Sequence, residues 1–139
     1  MAKAGYSPRS LQEKLGIKPG MTVALLNAPE DYTQTLGPLP VSIKIKRSLK
    51  GGNFDFTQFF TRSLADLVGE IEPLKAAMKQ SGMLWISWPK KTSGVSTDLN
   101  ENIVRDFVLE QGLVDIKVCA VDEVWSGLKF VVRVKDRKK

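Results

Sequence analysis

The stretch MTVALLNAPEDY, residues 21 to 32, decides the fold. Met21 to Leu26 is a continuous apolar run of strand length, as a central parallel strand needs when both of its faces are covered. Pro29 then begins a helix, with Glu30 and Asp31 in its first turn, where the helix dipole favours acids. In many α/β proteins this strand-to-helix turn is glycine-rich and holds a cofactor. Here it reads Asn27-Ala28-Pro29-Glu30-Asp31, with no glycine.

Elements on either side follow the same alternation. Upstream, Ser7 and Pro8 suit the cap and first position of a short helix carrying Leu11 and Leu15 on one face and ending at Gly16. Downstream, Gly37-Pro38-Leu39-Pro40 stops the second helix. Val41 to Lys46 alternates apolar and polar residues like a half-exposed edge strand, with Lys44 and Lys46 outward as protection against edge pairing. Lys50 to Asn53 is a turn, and Phe54 to Phe60 is the next strand. Ser63 and Asp66 then cap a helix with apolar residues from Leu64 to Met78, in which Pro73 predicts a kink or two stacked helical pieces. Gln80-Ser81-Gly82 closes it. Met83 to Trp88 is an apolar strand and Pro89 to Gly94 a loop. Thr97 caps a helix that turns Leu99, Ile103, Val104, Phe107 and Val108 inward. Val114 to Val121 and Leu128 to Val134 are the last two strands, antiparallel because their connection is short. The pattern specifies a mainly parallel sheet with helices on both faces. Residues 1–134 form a single α/β domain, and 135–139 are a basic tail expected to be disordered.

Composition narrows the chemistry. The chain has 139 residues, enough for one core. With no histidine, Ser-His-Asp and Cys-His nucleophiles and histidine-ligated metals are excluded. The single cysteine, Cys119, excludes an internal disulfide framework and cysteine-rich zinc sites, and points to a reduced, cytoplasmic setting. No metal site is expected. No apolar run is long enough to span a membrane, and MAKAGYSPRS lacks the apolar core of a signal peptide. The net charge of +6 is regional: four positives lie between Lys44 and Lys50, and the segment from Arg133 to Lys139 carries a net +4.

Three segments carry a resemblance. LGIKPGMTVALLNAPEDY is similar to the opening of class I methyltransferases that use S-adenosylmethionine, where KPG-x-x-V enters the first strand. GMLWISWPK is similar to a later strand of that family, and GLVDIKVCAVDEVWSGLKFVV resembles its closing helix-strand-strand unit, whose last strand is antiparallel. LLNAPE, SWPKK-x-SG and AVDEVWSGLKFV also resemble a family of short bacterial proteins of unknown function over nearly the whole chain. The methyltransferase resemblance implies a three-layer Rossmann sheet, mainly parallel with an antiparallel strand near the C-terminus. It departs from the family at two points. The cofactor turn is filled by Asn27 to Glu30, with Pro29 lacking an N–H and Glu30 and Asp31 set against a carboxylate. Lys44-Ile45-Lys46-Arg47 stands where the family's ribose-binding acid would close the second strand.

In an open parallel sheet, ligands sit outside the carboxyl ends of the strands. That edge collects Asn27 to Tyr32, Phe60 to Arg62, Trp88 to Gly94 and Asp122 to Ser126. The candidate ligand residues are Asn27, Trp88, Lys90, Lys91, Ser93, Asp122, Trp125 and Ser126. Their aromatics, cations and hydroxyls suit a small anion with a flat part. Simpler readings exist: solvated loop lysines, tryptophans packed at the core rim, acids that cap turns. Cys119 reads as an inert buried thiol. The expectation is a soluble binding or interaction module without catalytic residues and without a cofactor, whose partner is a small anionic ligand or a protein. The alternative is a methyltransferase that holds S-adenosylmethionine by a non-standard route. A further alternative is weak electrostatic binding of nucleic acid through Lys44, Lys46, Arg47, Lys50, Arg137, Lys138 and Lys139.

Overall fold

A computed structural model describes residues 10–137. The element order is α1 (Leu11–Leu15), β1 (Thr22–Leu26), α2 (Tyr32–Leu36), β2 (Lys44–Lys46), β3 (Phe54–Phe60), α3 (Leu64–Ala77), β4 (Met78–Pro89), α4 (Glu101–Glu110), β5 (Leu113–Ala120) and β6 (Trp125–Val132). The strands form one six-stranded sheet in the order β2-β1-β3-β4-β6-β5. β2, β1, β3 and β4 pair in parallel, and β6 runs antiparallel to both β4 and β5.

Side chains alternate across the sheet and build two cores. Val23, Leu25, Phe56, Phe60 and Trp85 face one way and pack with Leu15, Ile17, Tyr32 and Leu36 from α1 and α2. Phe59, Leu84, Ile86, Leu128 and Phe130 face the other way, against Leu67, Ile71 and Leu74 of α3 and Val104 and Val108 of α4. This is the three-layer arrangement that the strand–helix alternation requires. On the first face, the Trp85 indole N–H donates to the Leu15 carbonyl at 2.8 Å. Gly127 lies beneath that ring: a Cβ there would stand 3.1 Å from Trp85 Cε3. A buried polar chain also crosses this face. Tyr32 Oη donates to Gln58 Oε1 at 2.6 Å, and Gln58 Nε2 donates to Ser87 Oγ at 3.0 Å.

Several local expectations need correction. The anticipated cap at Ser7 and Pro8 lies outside the described residues; α1 starts at Leu11, with Ser10 and Glu13 forming a capping box. α2 starts at Tyr32, not at Pro29, because the Tyr32 N–H closes a turn on the Pro29 carbonyl. Glu30 and Asp31 therefore precede the first helical turn. β2 keeps only three of the alternating residues, since Ser42 sits at φ 64° and breaks the extended run. α3 runs unbroken through Pro73, held by Leu67, Ile71 and Leu74 on its buried face. Gln80, Ser81 and Gly82 do not end that helix but belong to β4. Phe54 lies opposite Met78 and Phe56 opposite Met83, so residues 79–82 form a bulge. Asn100, not Thr97, caps α4.

Candidate functional site

The carboxyl ends of β1 and β3 open into a cleft of about 930 Å³ lined by Asn27, Pro29, residues 60–63, Asp66, residues 95–98, Val124 and Trp125. Its floor is the turn after β1. Asn27 takes a left-handed conformation at φ 59°, which Asn tolerates better than most residues. Its side-chain amide donates to the Phe60 carbonyl at 3.3 Å and ties the two strand ends together. Trp125 stands half-buried beside them, backed by two buried aromatic rings. Phe60 meets Tyr32 edge-on at 4.8 Å and Trp125 edge-on at 5.1 Å. Burial pushes the Tyr32 phenol well above its ordinary range; the group acts there as a neutral donor to Gln58.

The opposite wall is a strap that joins β4 to α4. Thr97 Oγ1 donates to the Arg62 carbonyl at 2.6 Å, and Asp98 Oδ1 accepts the Leu64 N–H at 2.9 Å. Ser63 Oγ accepts the Asp66 N–H at 2.9 Å and caps α3. The N-terminus of α3 is thus already supplied with acceptors from the chain itself. The cleft contains one guanidinium, Arg62, which is exposed and forms no ion pair among the described residues. Two carboxylates, Asp66 and Asp98, stand across from it at the positive end of the helix dipole. The β5–β6 hairpin completes the rim. Asp122 Oδ1 accepts the N–H groups of Val124 and Trp125 at 2.8 and 2.7 Å, which fixes the turn that presents Trp125.

With this geometry in place, solved structures supply a comparison. A SAM-dependent methyltransferase from Aquifex aeolicus superposes with a TM-score of 0.59 at 15% identity, over 86% of each chain. N-methyltransferase NodS from Bradyrhizobium japonicum WM9, in complex with S-adenosyl-L-homocysteine, gives 0.56 at 12% identity, over 88% of this chain and 82% of that one. Magnesium protoporphyrin IX methyltransferase from Synechocystis PCC 6803 gives 0.52 at 12% identity, over 82% and 75%. The chain has a methyltransferase-like Rossmann fold. No family model matches the chain, and no curated protein matches it. At these identities the likeness is one of fold alone.

Within that fold the predicted site residues separate. Asn27 and Trp125 line the main cleft. Trp88 does not: it is buried with Phe59 and Leu99 on the α3–α4 face. The loops of Trp88 and Trp125 do adjoin, with the Lys90 N–H donating to the Val124 carbonyl at 2.7 Å. But Trp88 pairs with Ser126 and Pro89 with Trp125, so the two indoles occupy successive register positions and point to opposite faces. Lys91 borders a smaller hollow with Trp88 and residues 94–100, and Ser93 Oγ is spent on the Lys90 carbonyl. Lys90 and Asp122 lie in the adjoining loops and Ser126 in β6 opposite Trp88, all outside the lining of the main cleft. The sequence reading did not count Arg62 among the ligand candidates, and it missed Ser63 and the strap at 95–98. Arg62 had been placed on this edge by strand order, whereas the strap looked only like the start of a helix.

The basic candidates also separate. Lys44, Lys46, Arg47 and Lys50 are exposed along the β2 edge. Arg137 follows a single 3-10 turn and donates from Nε to the Val132 carbonyl at 3.0 Å. β2 and β6 lie four strand spacings apart, roughly 19 Å, so the two groups do not form one surface. Lys138 and Lys139 lie outside the described residues. Cys119 is buried, and that burial pushes its thiol up, away from the reactive thiolate. Among the described residues no cluster of three or more Cys, Asp or Glu side chains is placed to hold a metal ion, and no helix is long and apolar enough to cross a membrane.

Proposed function

We propose that this chain is a binding module on a methyltransferase-like fold that does not carry S-adenosylmethionine. The observation behind this reading is the turn from Asn27 to Asp31. A nucleotide-type cofactor needs close backbone approach and free N–H donors after β1. Pro29 has no donor, the Asn27 side chain bridges to Phe60, and Glu30 and Asp31 oppose a carboxylate. Beside it, β2 ends at Lys46 and Arg47 follows, cations where ribose hydroxyls would need an acceptor.

The cleft favours a smaller ligand. Its two carboxylates are engaged by or adjacent to the α3 N-terminus, which leaves Arg62 to meet an anionic group. The half-buried Trp125 ring, backed by the buried Phe60, suits a flat apolar part of the same ligand. Isothermal titration with S-adenosylmethionine and S-adenosylhomocysteine up to about 1 mM is expected to give no binding heat. A micromolar Kd for either compound would replace this reading with that of a methyltransferase holding its cofactor by an unusual route.

A further inference from the structure

We infer a second site, on the sheet face that carries α1 and outside the lining of the cleft, that binds a compact phosphate-bearing anion through Lys14, Lys18, Lys117 and Lys129. It is independent of the cleft reading.

Lys117 of β5 and Lys129 of β6 stand directly opposite each other in the antiparallel ladder, on the sheet face that carries α1. Side chains so paired are about 4.5–5.5 Å apart at Cβ, and like charges at this spacing are destabilising. Their ammonium groups turn toward the C-terminal end of α1. Lys117 Nζ donates to the Lys14 carbonyl at 2.7 Å. Lys129 Nζ reaches the backbone of Gly16, where it would lie 3.4 Å from a Cβ. Gly16 is the left-handed C-cap of α1 at φ 97°, so the chain turns there without a side chain and leaves room for Lys129. Lys14 is the basic residue in the last turn of α1, and Lys18 follows the turn.

Part of this arrangement has a structural explanation. Cations favour the negative end of a helix dipole, and Lys117 satisfies a helix-end carbonyl. That explains one lysine. It does not explain four. The groups that face the cluster from each neighbouring element are Met83 and Trp85 of β4, Cys119 of β5 and Val131 of β6, none of which is an acid. The acid of α1, Glu13, adjoins Lys14 and lines a hollow with Gly16 and Lys18, and its carboxylate accepts the Ser10 N–H. Asp115 lies on the opposite sheet face and is held by Arg105 at 3.0 Å. No ion pair among the described residues involves any of the four lysines. Burial, then Lys117 and Lys18, push the Lys129 ammonium below its ordinary range. The fold therefore gathers four ammonium-bearing residues around the end of α1 with no salt bridge to any of them among the described residues.

An anion bridging Lys117 and Lys129 would remove the repulsion and accept several N–H donors at once. The half-buried position of Lys129 between α1 and β6 favours a small, multiply charged group over a long polyanion. The probes are inorganic pyrophosphate and tripolyphosphate, added to the full-length chain at constant ionic strength balanced with potassium chloride. Both are expected to raise the melting temperature, and Lys129→Met to weaken their binding about ten-fold. Lys91→Met, in the loop after β4 beside Trp88, is expected to leave binding unchanged. An independent readout uses reductively 13C-methylated lysines. Saturating tripolyphosphate is expected to return the Lys129 titration toward the ordinary lysine range, because a bound anion favours the charged amine. The inference is overturned if pyrophosphate and tripolyphosphate act no differently from chloride at equal ionic strength. It is equally overturned if Lys91→Met weakens binding as much as Lys129→Met, or if an oligonucleotide displaces tripolyphosphate while contacting other residues.

Discussion

Replacing Gln58 by Leu tests the internal support of the cleft. Gln58 lies on β3 and joins Tyr32 of α2 to Ser87 of β4 through two buried hydrogen bonds of 2.6 and 3.0 Å. Leucine has nearly the same volume but serves neither bond. Each hydroxyl left unsatisfied in the core costs about 1–3 kcal/mol, while the added apolar burial returns up to about 2 kcal/mol. The balance is a net loss of up to about 6 kcal/mol, centred near about 3 kcal/mol. Urea unfolding followed by tryptophan fluorescence measures it as a lower midpoint at constant m. A double-mutant cycle with Tyr32→Phe separates the hydrogen bond from packing. The two losses are expected to be less than additive by about 0.5–3 kcal/mol, because Gln58→Leu already removes the partner that Tyr32→Phe strands. Additive losses, or a Gln58→Leu variant as stable as its parent, would refute the reasoning. Since Tyr32 also meets Phe60 edge-on, the variant is further expected to broaden the NMR signals of Phe60 and Trp125.

Three further outcomes follow from the same geometry. Asp98→Ala removes the acceptor of the Leu64 N–H and is expected to cost about 0.5–2 kcal/mol and to speed amide exchange in residues 95–98. Gly127→Ala places a methyl 3.1 Å from the buried Trp85 ring, and an overpacking loss of about 1–3 kcal/mol is expected in thermal unfolding. The lowered Lys129 ammonium predicts a stability that rises with pH on the alkaline side. Between its folded value and the unfolded value near about 10.4, the unfolded chain binds more protons, so raising pH favours the fold. That rise is expected to be smaller in Lys129→Met, and equal slopes in the two proteins would contradict it.

The architecture was legible because it rests on periodicity. Met21 to Leu26 and Met83 to Trp88 could only be strands covered on both faces, and the helices between them left few topologies. The edge position of Lys44 and Lys46 was legible for the same reason. Boundaries failed where backbone geometry outweighed side-chain type. Ser42 at a positive φ shortened β2, and three residues of turn displaced α2 from Pro29 to Tyr32. The site was half legible. Strand order put Asn27, Arg62 and Trp125 on one edge, but the pairing of Trp88 and Trp125 depended on register. A shift of one residue reverses the face of a side chain, and nothing local in Trp88-Pro89-Lys90 sets that register. The strap at 95–98 was hidden because its role lies in contacts some 35 residues away, from Thr97 to Arg62 and from Asp98 to Leu64. The lysine cluster was invisible because Lys14 and Lys117 are 103 residues apart.

The claim that this methyltransferase-like fold no longer serves its cofactor turns on residues 27–31 and on the end of β2. The most direct measurement is an amide chemical-shift map of the 15N-labelled chain during titration with S-adenosylhomocysteine. The account predicts that Asn27, Ala28, Glu30, Asp31, Lys46 and Arg47 do not move beyond the change seen with an equal concentration of adenine. Saturable shifts concentrated at Asn27 to Asp31 and at Lys46, fitting one micromolar Kd, would contradict it.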